Sequence, residues 1–286
     1  MKNLPISSRI LEIKRNHRIR RMRLFIIFSI IFILFIFGLS YSSSYRKLTL
    51  DGIIVSGNSI IDDKEVKSKV ESNLVGNYLH LFSRANIFIY PKKQIYNDLM
   101  KSFPRIESLL VYRENLNTLH IEITERLGSY LYCGVEIPEI SSEIGENCYF
   151  LNNNGYIFDK APYFSGDIYF KYYLPISFDK ADPSGSQMMD SNRFHELVRF
   201  IDRINSISFN PIYLQEEIDN YYSLYLKGES NNPKILFKKD ADLSIIFENL
   251  SVAMEKQEFS DEIKSNYSKL QYIDLRFKNK VVYKIE

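Results

Sequence analysis

The stretch LQYIDLRFKNKVVYKIE, residues 270–286, alternates apolar and charged residues over about 14 positions. The apolar positions are Ile273, Leu275, Phe277, Val281, Tyr283 and Ile285, and Asn279 interrupts the series. Period-two alternation is typical of a strand with one buried face, and an average strand has about 5–6 residues. The stretch therefore predicts one unusually long strand, charged on its second face.

The composition divides the chain into a basic start and a mildly acidic body. Its 286 residues allow about two domains of ordinary size, and the hydrophobic share of 45% is enough to build their cores. The formal net charge is +2, yet residues 1–23 hold eight basic residues and one acid. The remaining residues, 29 basic and 34 acidic, carry a net −5. A body of this charge does not favour nucleic-acid binding.

An uncharged segment, LFIIFSIIFILFIFGL, runs from Leu24 to Leu39. About 20 residues are needed to cross the roughly 30 Å hydrocarbon layer of a membrane, and the polar but uncharged residues up to Tyr45 supply that length. Tyr41 and Tyr45 lie where an interfacial aromatic belt is expected. The segment predicts a transmembrane helix over residues 24–45.

The basic cluster precedes this helix, so the positive-inside rule places residues 1–23 in the cytoplasm and the residues after the helix outside the cell membrane. A cleaved signal peptide is the competing interpretation. Its apolar core usually has about 7–15 residues behind a short charged region, whereas the basic region here is longer and no A-x-A-like site follows. The pattern favours an uncleaved single-pass anchor.

Cys133 and Cys148 are the two cysteines of the chain, and both fall in the exported part. An extracytoplasmic setting permits a disulfide between them, although two free buried thiols are also compatible with the sequence. The four histidines lie far apart in sequence, and two cysteines alone make a poor metal site. Neither a metal nor a cofactor is expected.

Residues 46–127 read as strand, helix, helix, strand, strand. A strand over residues 48–58 ends at the turn pair Gly57-Asn58, and a helix follows from Asp62 or Asp63 to about Asn73. Pro91 opens a second helix that ends before Pro104. Strands over residues 106–113 and 119–124 flank the turn ENLN. Two helices on one face of a three-stranded sheet make this an α+β domain.

Residues 128–286 read as a mixed β domain with flanking helices. YLYC and CYFLNNNGYIFDKAP are strands with a hairpin turn at residues 153–155. A helix capped by Ser191 or Asn192 runs to about Ser206, three strands follow, and Asp242 caps a helix to about Phe259. The long strand described above comes last.

Sequence motifs of catalysis are missing from this chain. His195-Glu196 lacks the second histidine of H-E-x-x-H, and there is no G-x-S-x-G, no phosphate-binding glycine loop and no S-x-x-K nucleophile in a recognisable context. Paired acids such as Asp62-Asp63 and Glu216-Glu217 are interpreted as helix caps or solvated faces. The sequence therefore predicts a protein that is not an enzyme.

The order of these elements behind a basic tail and one anchor resembles the FtsQ/DivIB family of bacterial cell-division proteins, with residues 46–127 similar to its POTRA domain. IIVSGN at residues 53–58 and NTLHIEITER at residues 117–126 resemble strand signatures of that domain. NGYIFDKAP at residues 154–162 and YIDLRFKNKVV at residues 272–282 resemble motifs of its β domain. Leu116 stands where the family usually has proline, which puts the geometry of that turn in doubt.

The resemblance implies a scaffold of the division septum that recruits FtsB/DivIC-like and FtsL-like partners, and so regulates septal wall synthesis. An edge strand offers unpaired backbone groups to which a partner can add a strand. The expected contact residues are Tyr272, Arg276, Phe277, Lys278, Asn279 and Lys280. Phe277 matches the family's contacting aromatic, but its parity equally suits the apolar core.

Two other functions compete with this hypothesis. One is a POTRA-containing factor of envelope assembly or secretion, although such proteins generally carry several POTRA units or a β-barrel. The other is an anchored extracytoplasmic hydrolase with an unrecognised site.

Overall fold

A computed structural model describes residues 8–43, 45–135, 137, 147–164, 166–229, 231–278 and 280–286. The protein is a mixed α+β molecule with one N-terminal apolar helix and a large mixed sheet, which confirms the predicted class. It divides into two compact units. The first takes in the described residues up to Phe103 together with Ser108–Thr124, and the second takes in Pro104–Glu107 with Glu125–Glu286.

The N-terminal helix α1 runs from Ser8 to Ser43, so the basic cluster and the apolar segment form one continuous helix. Arginine and lysine are good helix formers, which explains why the helix extends into the basic region. Within the part from His17 to Ser43, the most apolar stretch of 18 residues has a mean hydropathy of 2.7, and none of that stretch is buried inside the protein. This helix is long and apolar enough to span a membrane.

The first unit contains the predicted order of strand, helix, helix, strand and strand. Its elements, of which the last two strands reach slightly into the second unit, are β1 (Gly52–Ser56), α2 (Asp63–Leu74), β2 (Asn77–Tyr78), β3 (Phe82–Ser83), α3 (Lys92–Ser102), β4 (Ile106–Arg113) and β5 (Thr118–Glu125). The sheet order is β1–β5–β4, with β1 parallel to β5. The short pair β2–β3 lies in a stretch for which the sequence predicted no element.

Local signals explain why these elements form where they do. The Asp62 carboxylate accepts the Lys64 backbone N–H at 2.8 Å and so caps α2. Val66 of α2 and Ile95 of α3 are fully buried. Gly57 ends β1 with φ +80°, and a Cβ there would lie 2.2 Å from the Ile123 carbonyl oxygen. The turn after β1 therefore requires glycine.

The second unit is built on one large sheet. Its strands are β6 (Tyr130–Tyr132), β7 (Tyr149–Leu151), β8 (Tyr156–Lys160), β9 (Lys171–Tyr173), β10 (Ser186–Gln187), β11 (Pro211–Glu217), β12 (Tyr221–Leu226), β13 (Lys234–Lys238), β14 (Leu270–Asp274) and β15 (Val282–Ile285). Their order is β10-β8-β7-β6-β9-β11-β12-β13-β14-β15. The helices are α4 (Ser191–Ser206), α5 (Leu243–Glu255) and α6 (Gln257–Ser265).

The helices of this unit differ from the sequence prediction at two points. Asp190, rather than Ser191 or Asn192, caps α4, because its carboxylate accepts the backbone N–H groups of both residues 192 and 193. The single helix predicted from Asp242 to Phe259 is two helices separated at Lys256. Met254 and Phe259 both pack against the main core, and residues five apart cannot share one face of a straight helix. The break lets both reach that core.

Candidate partner-binding site

Residues 270–286 fold into a hairpin, so the prediction of one long strand is wrong. β14 ends at Asp274, and β15 returns antiparallel to it, with Ile273 opposite Tyr283. From Tyr272 to Asp274 the two arms pair residues of the same parity, so Ile273 and Tyr283 share one face of the sheet. Because the alternation continues through the connecting loop, the sequence of the hairpin has the pattern of a single long strand.

The hairpin moves the open border of the sheet to β15. β14 lies between β13, which runs parallel to it, and β15. Among the described residues, β15 pairs with β14 and with no other strand. Tyr272 was predicted as a contact residue, but it sits inside the sheet opposite Lys234 and Lys284. The backbone available for strand addition is therefore that of Val282–Ile285.

The loop between the two arms carries the other predicted contact residues. Arg276, Phe277, Lys278 and Lys280 lie between β14 and β15, whereas Asn279 lies outside the described residues. Phe277 is 52% exposed, so the structure does not place it in the core. Lys278 and Lys280 are also exposed. The loop thus presents one aromatic and two ammonium side chains to solvent.

Arg276 is held by a buried carboxylate. Its Nε donates to Asp274 Oδ1 at 2.9 Å, and its Nη2 donates to Oδ2 at 2.7 Å. Asp274 is only 4% exposed, although the alternation placed it on the charged face. The guanidinium also lies 4.6 Å from the centre of the Tyr221 ring. The hydrogen bonds to Asp274 raise the pKa of Arg276 above its usual value, against the effect of burial.

A groove of about 550 Å³ opens beside this ion pair. Its lining residues are Asp219, Asn220, Tyr221, Lys238, Asp240, Arg276 and Phe277. Phe277 supplies its aromatic wall, while Asp219 and Asp240 make one part of the rim acidic. The groove can therefore accept a side chain with an apolar stem and a basic or hydrogen-bonding end.

A second groove of about 470 Å³ lies next to the border strand. Val281, which directly precedes β15, lines it together with Val252 and Ala253 of α5 and Phe259 of α6. Val252 is 51% exposed. The rest of the lining is polar and consists of Glu248, Asn249 and Lys256. A partly apolar groove at the start of an open strand lets an added peptide gain side-chain contacts as well as backbone hydrogen bonds.

The border strand is fixed from below by α6. The Tyr283 hydroxyl donates to the Glu262 carboxylate, and the Tyr283 ring meets Phe259 edge-on with ring centres 5.2 Å apart. The hydrogen bond to Glu262, together with burial, raises the pKa of the Tyr283 phenol. β15 is therefore held in an extended conformation before any partner arrives.

Cys133 and Cys148 form a disulfide with an S–S distance of 2.03 Å. They directly follow β6 and directly precede β7, whose residues Tyr132 and Tyr149 are paired. The bridge therefore clamps this strand pair at the end from which the connecting segment leaves. Most of the segment between the two cysteines lies outside the described residues.

Polar clusters elsewhere in the described part of the chain have structural partners. No three His, Cys, Asp or Glu side chains gather there in an arrangement that could hold a metal ion. His120 contacts Ser56 at 2.7 Å, and His195 contacts the amide oxygen of Asn154 at 3.0 Å. A groove of about 570 Å³ between α4 and α5 includes Asp242, which caps α5.

Sequence reasoning missed the residues outside the last hairpin that shape both grooves. Asp219 comes from the β11–β12 turn and Tyr221 from the start of β12, whereas Val252 and Phe259 come from two different helices. Only the tertiary fold brings them to the last hairpin. The one signal for the hairpin itself was the polar run of residues 278–280 between two apolar arms.

The comparisons with known proteins add no family assignment. No protein-family model matches the chain, and no curated protein matches it.

Proposed function

We propose that the protein is a bitopic membrane scaffold of the FtsQ/DivIB type, acting at the division septum of a bacterium. In this proposal α1 crosses the cell membrane with its basic end in the cytoplasm. The first unit acts as a POTRA domain, and the second unit recruits FtsB/DivIC-like and FtsL-like partners for regulated wall synthesis.

One observation carries the proposal: β15 is an open border strand, and a partly apolar groove opens at Val281, the residue directly before it. Strand addition requires unpaired backbone groups on an extended segment, and side-chain pockets nearby give it specificity. The docking strand is therefore Val282–Ile285, with Phe277 and Arg276 at one end of it. The order of elements in the first unit and the apolar helix agree with the family plan.

Co-purification of the full chain with the FtsB/DivIC-like and FtsL-like pair tests the binding surface. Phe277→Glu puts a charge at the loop, and Val252→Glu puts one in the groove beside β15. Each should reduce recovery of the pair by at least about tenfold, because charges at the centre of an interface are costly.

The matched control is Ile168→Glu, which changes another exposed apolar residue, 67% exposed, in the same unit. Ile168 adjoins Asp167, whose carboxylate forms an ion pair with Lys227. Lys227 directly follows β12, whereas Tyr221, which lines the first groove, is at the other end of that strand. This variant should bind like the unmodified chain. Undiminished recovery with both Phe277→Glu and Val252→Glu would count against the proposed border.

The cellular role is tested by the position of a fluorescent fusion in dividing cells. The proposal expects a band at mid-cell that precedes constriction. A signal spread evenly along the envelope would contradict a role at the septum.

A further inference from the structure

The C-terminal end of α1 is tied to the β2–β3 hairpin by side-chain hydrogen bonds. The Ser40 hydroxyl donates to the Leu81 carbonyl, and the Ser43 hydroxyl accepts the Ser83 backbone N–H at 3.1 Å. The Asn86 amide donates to the Ser43 carbonyl at 3.0 Å. These contacts fix the hairpin at the level of the last turn of α1.

The level of that turn follows from helix geometry. The basic cluster ends at Arg23, and 20 residues from Leu24 to Ser43 rise about 30 Å, which is the thickness of the hydrocarbon layer. A helix that starts to cross at Leu24 therefore leaves the layer near Ser43. The hairpin bonded to Ser40 and Ser43 then lies at the membrane surface.

Exposed apolar and aromatic side chains lie on the segments that these hydrogen bonds join at the exit point. Leu79 at the hairpin tip is 85% exposed, Phe88 is 70% exposed, and Tyr41 and Tyr45 on the helix side are 83% and 53% exposed. The Phe88 backbone N–H is bonded to Asn86, the residue that holds Ser43. We call these four residues the helix-exit surface. Exposed large apolar groups gathered around one point indicate a binding surface.

The tip of the hairpin also has an unusual backbone. Leu79 and His80 have φ +49° and +59°, and Leu81 N–H donates to Tyr78 C=O at 2.9 Å. Two consecutive positive φ angles define a type I′ turn, which normally uses Asn and Gly. A leucine in this conformation costs free energy on two counts, backbone strain and an exposed side chain. Contact with an apolar phase would offset the second cost.

Cationic groups accompany the aromatic rings here. The Arg84 guanidinium lies 5.6 Å from the centre of the Tyr78 ring, and that of Arg113 lies 6.0 Å from the centre of the Phe88 ring. Aromatic rings next to basic side chains suit the headgroup layer, where rings prefer the interface and cations meet lipid phosphates. If the surface bound a protein partner instead, its aromatic and basic side chains would not need to lie at the level where α1 leaves the membrane.

We propose that the helix-exit surface contacts the headgroup region of the membrane that α1 crosses, with Leu79 reaching the acyl boundary. This inference rests on the proposed membrane span. It makes the first unit a body held against the lipid surface rather than one hanging from a free linker.

The chain contains no tryptophan, so a single introduced tryptophan is the only indole in the molecule. The full chain carrying Leu79→Trp is reconstituted in phosphatidylcholine–phosphatidylglycerol vesicles with or without brominated acyl chains. Its emission should be blue-shifted and should be partly lost in the brominated vesicles. Phe88→Trp, at an ordinary turn position, should show a smaller loss.

Two further variants make the outcome decisive. Phe35→Trp lies in the span and should be strongly quenched. Ile60→Trp replaces a residue 66% exposed in the same unit, beyond the far end of β1, and should be unaffected. Quenching of Phe35→Trp without quenching of Leu79→Trp and Phe88→Trp would overturn the lipid contact and leave the span intact. Equal quenching of Leu79→Trp and Ile60→Trp would overturn it too. An unquenched Phe35→Trp would overturn the span and the contact together.

Discussion

At the scale of single residues, Asp274 and Arg276 form an ion pair whose two members are buried to different extents. The Asp274 side chain is 5% exposed and the Arg276 side chain is 33% exposed. An unpaired charge costs most where it is least hydrated. Removing the arginine should therefore cost more than removing the carboxylate.

We expect Arg276→Met to lower the free energy of unfolding by about 2–4 kcal/mol, since it leaves a buried carboxylate without its guanidinium. Asp274→Asn should cost about 1–2 kcal/mol, because the freed guanidinium can turn to water. Chemical denaturation of the full chain in detergent micelles measures both. Equal losses, or a larger loss for Asp274→Asn, would contradict the unequal burial of the pair.

Buried tyrosines predict a loss of stability at alkaline pH. Burial, with a smaller contribution from Glu216, raises the pKa of Tyr222 from 10.0 to about 12. The folded state therefore keeps a proton that the unfolded state loses, so this stabilisation is complete below pH 10.0 and is lost as the pH rises toward about 12. Tyr222→Phe should make the decline above pH 10.0 shallower.

Thermal unfolding of the full chain at several alkaline pH values, followed by tyrosinate absorbance, measures this decline. Tyr163→Phe is the matched control, because it removes the phenol of a side chain that is 71% exposed. Identical slopes for the Tyr222 variant and the unmodified chain would argue against a Tyr222 contribution.

The burial of a residue could be predicted from the sequence only where the side chain is apolar and follows the period of the strand. Ile273 and Leu275 were predicted on the apolar face and are buried. Asp274 was predicted on the charged face and is buried too, because Arg276 two residues on satisfies its carboxylate. Alternation reports polarity, and it cannot report that two polar side chains neutralise each other.

At the scale of elements, helix starts depend on which residue supplies the cap. Asp190 accepts the backbone N–H groups of Asn192 at 3.0 Å and Arg193 at 3.2 Å. The Ser191 hydroxyl, one of the two caps predicted from sequence, instead donates weakly to Asn154 C=O at 3.4 Å. Three consecutive cap-forming residues made the start of α4 ambiguous in the sequence.

We expect Asp190→Ala to lower the free energy of unfolding by about 1 kcal/mol, the usual cost of a lost N-cap. Ser191→Ala should change it by less than about 0.5 kcal/mol, which is typical of a surface substitution. Denaturation curves of the two variants side by side decide the assignment. A larger effect for Ser191→Ala would place the cap where the sequence alone suggested.

Long periodic elements were predictable, whereas several of the shortest strands were not. α2, α3, β4 and the three strands β11, β12 and β13 follow patterns that span several turns or alternations. β2, β9 and β10 have only two or three residues, too few for any period to show. The candidate site was the part least predictable from the sequence, because its grooves form only when β15 folds back on β14 and when α5 and α6 are separate helices.

At the scale of the whole molecule, the disulfide reports on which side of the membrane the second unit resides. Thiols of cytosolic proteins are kept reduced, while extracytoplasmic ones are oxidised. In the proposed orientation Cys133 and Cys148 should be bridged in protein taken directly from cells. A version lacking the residues before Tyr45, and so retained in the cytosol, should contain two free thiols.

Alkylation of free thiols before and after reduction, read by mass, measures this directly. Reducing the bridge should also lower stability by about 3 kcal/mol in the chain-entropy model, given a sequence separation of 15. Free thiols in the full-length protein from intact cells would contradict the orientation.

The border strand described above has four residues, Val282–Ile285. So short a rim can form only a few backbone hydrogen bonds, each contributing about 0.5–1.5 kcal/mol net, which makes a capture in free solution brief. Tethering both participants in one bilayer confines their search to a plane and raises their effective concentration. In the proposed assembly the anchor thus contributes to avidity, and soluble fragments will bind the partners less firmly than the membrane-bound protein does.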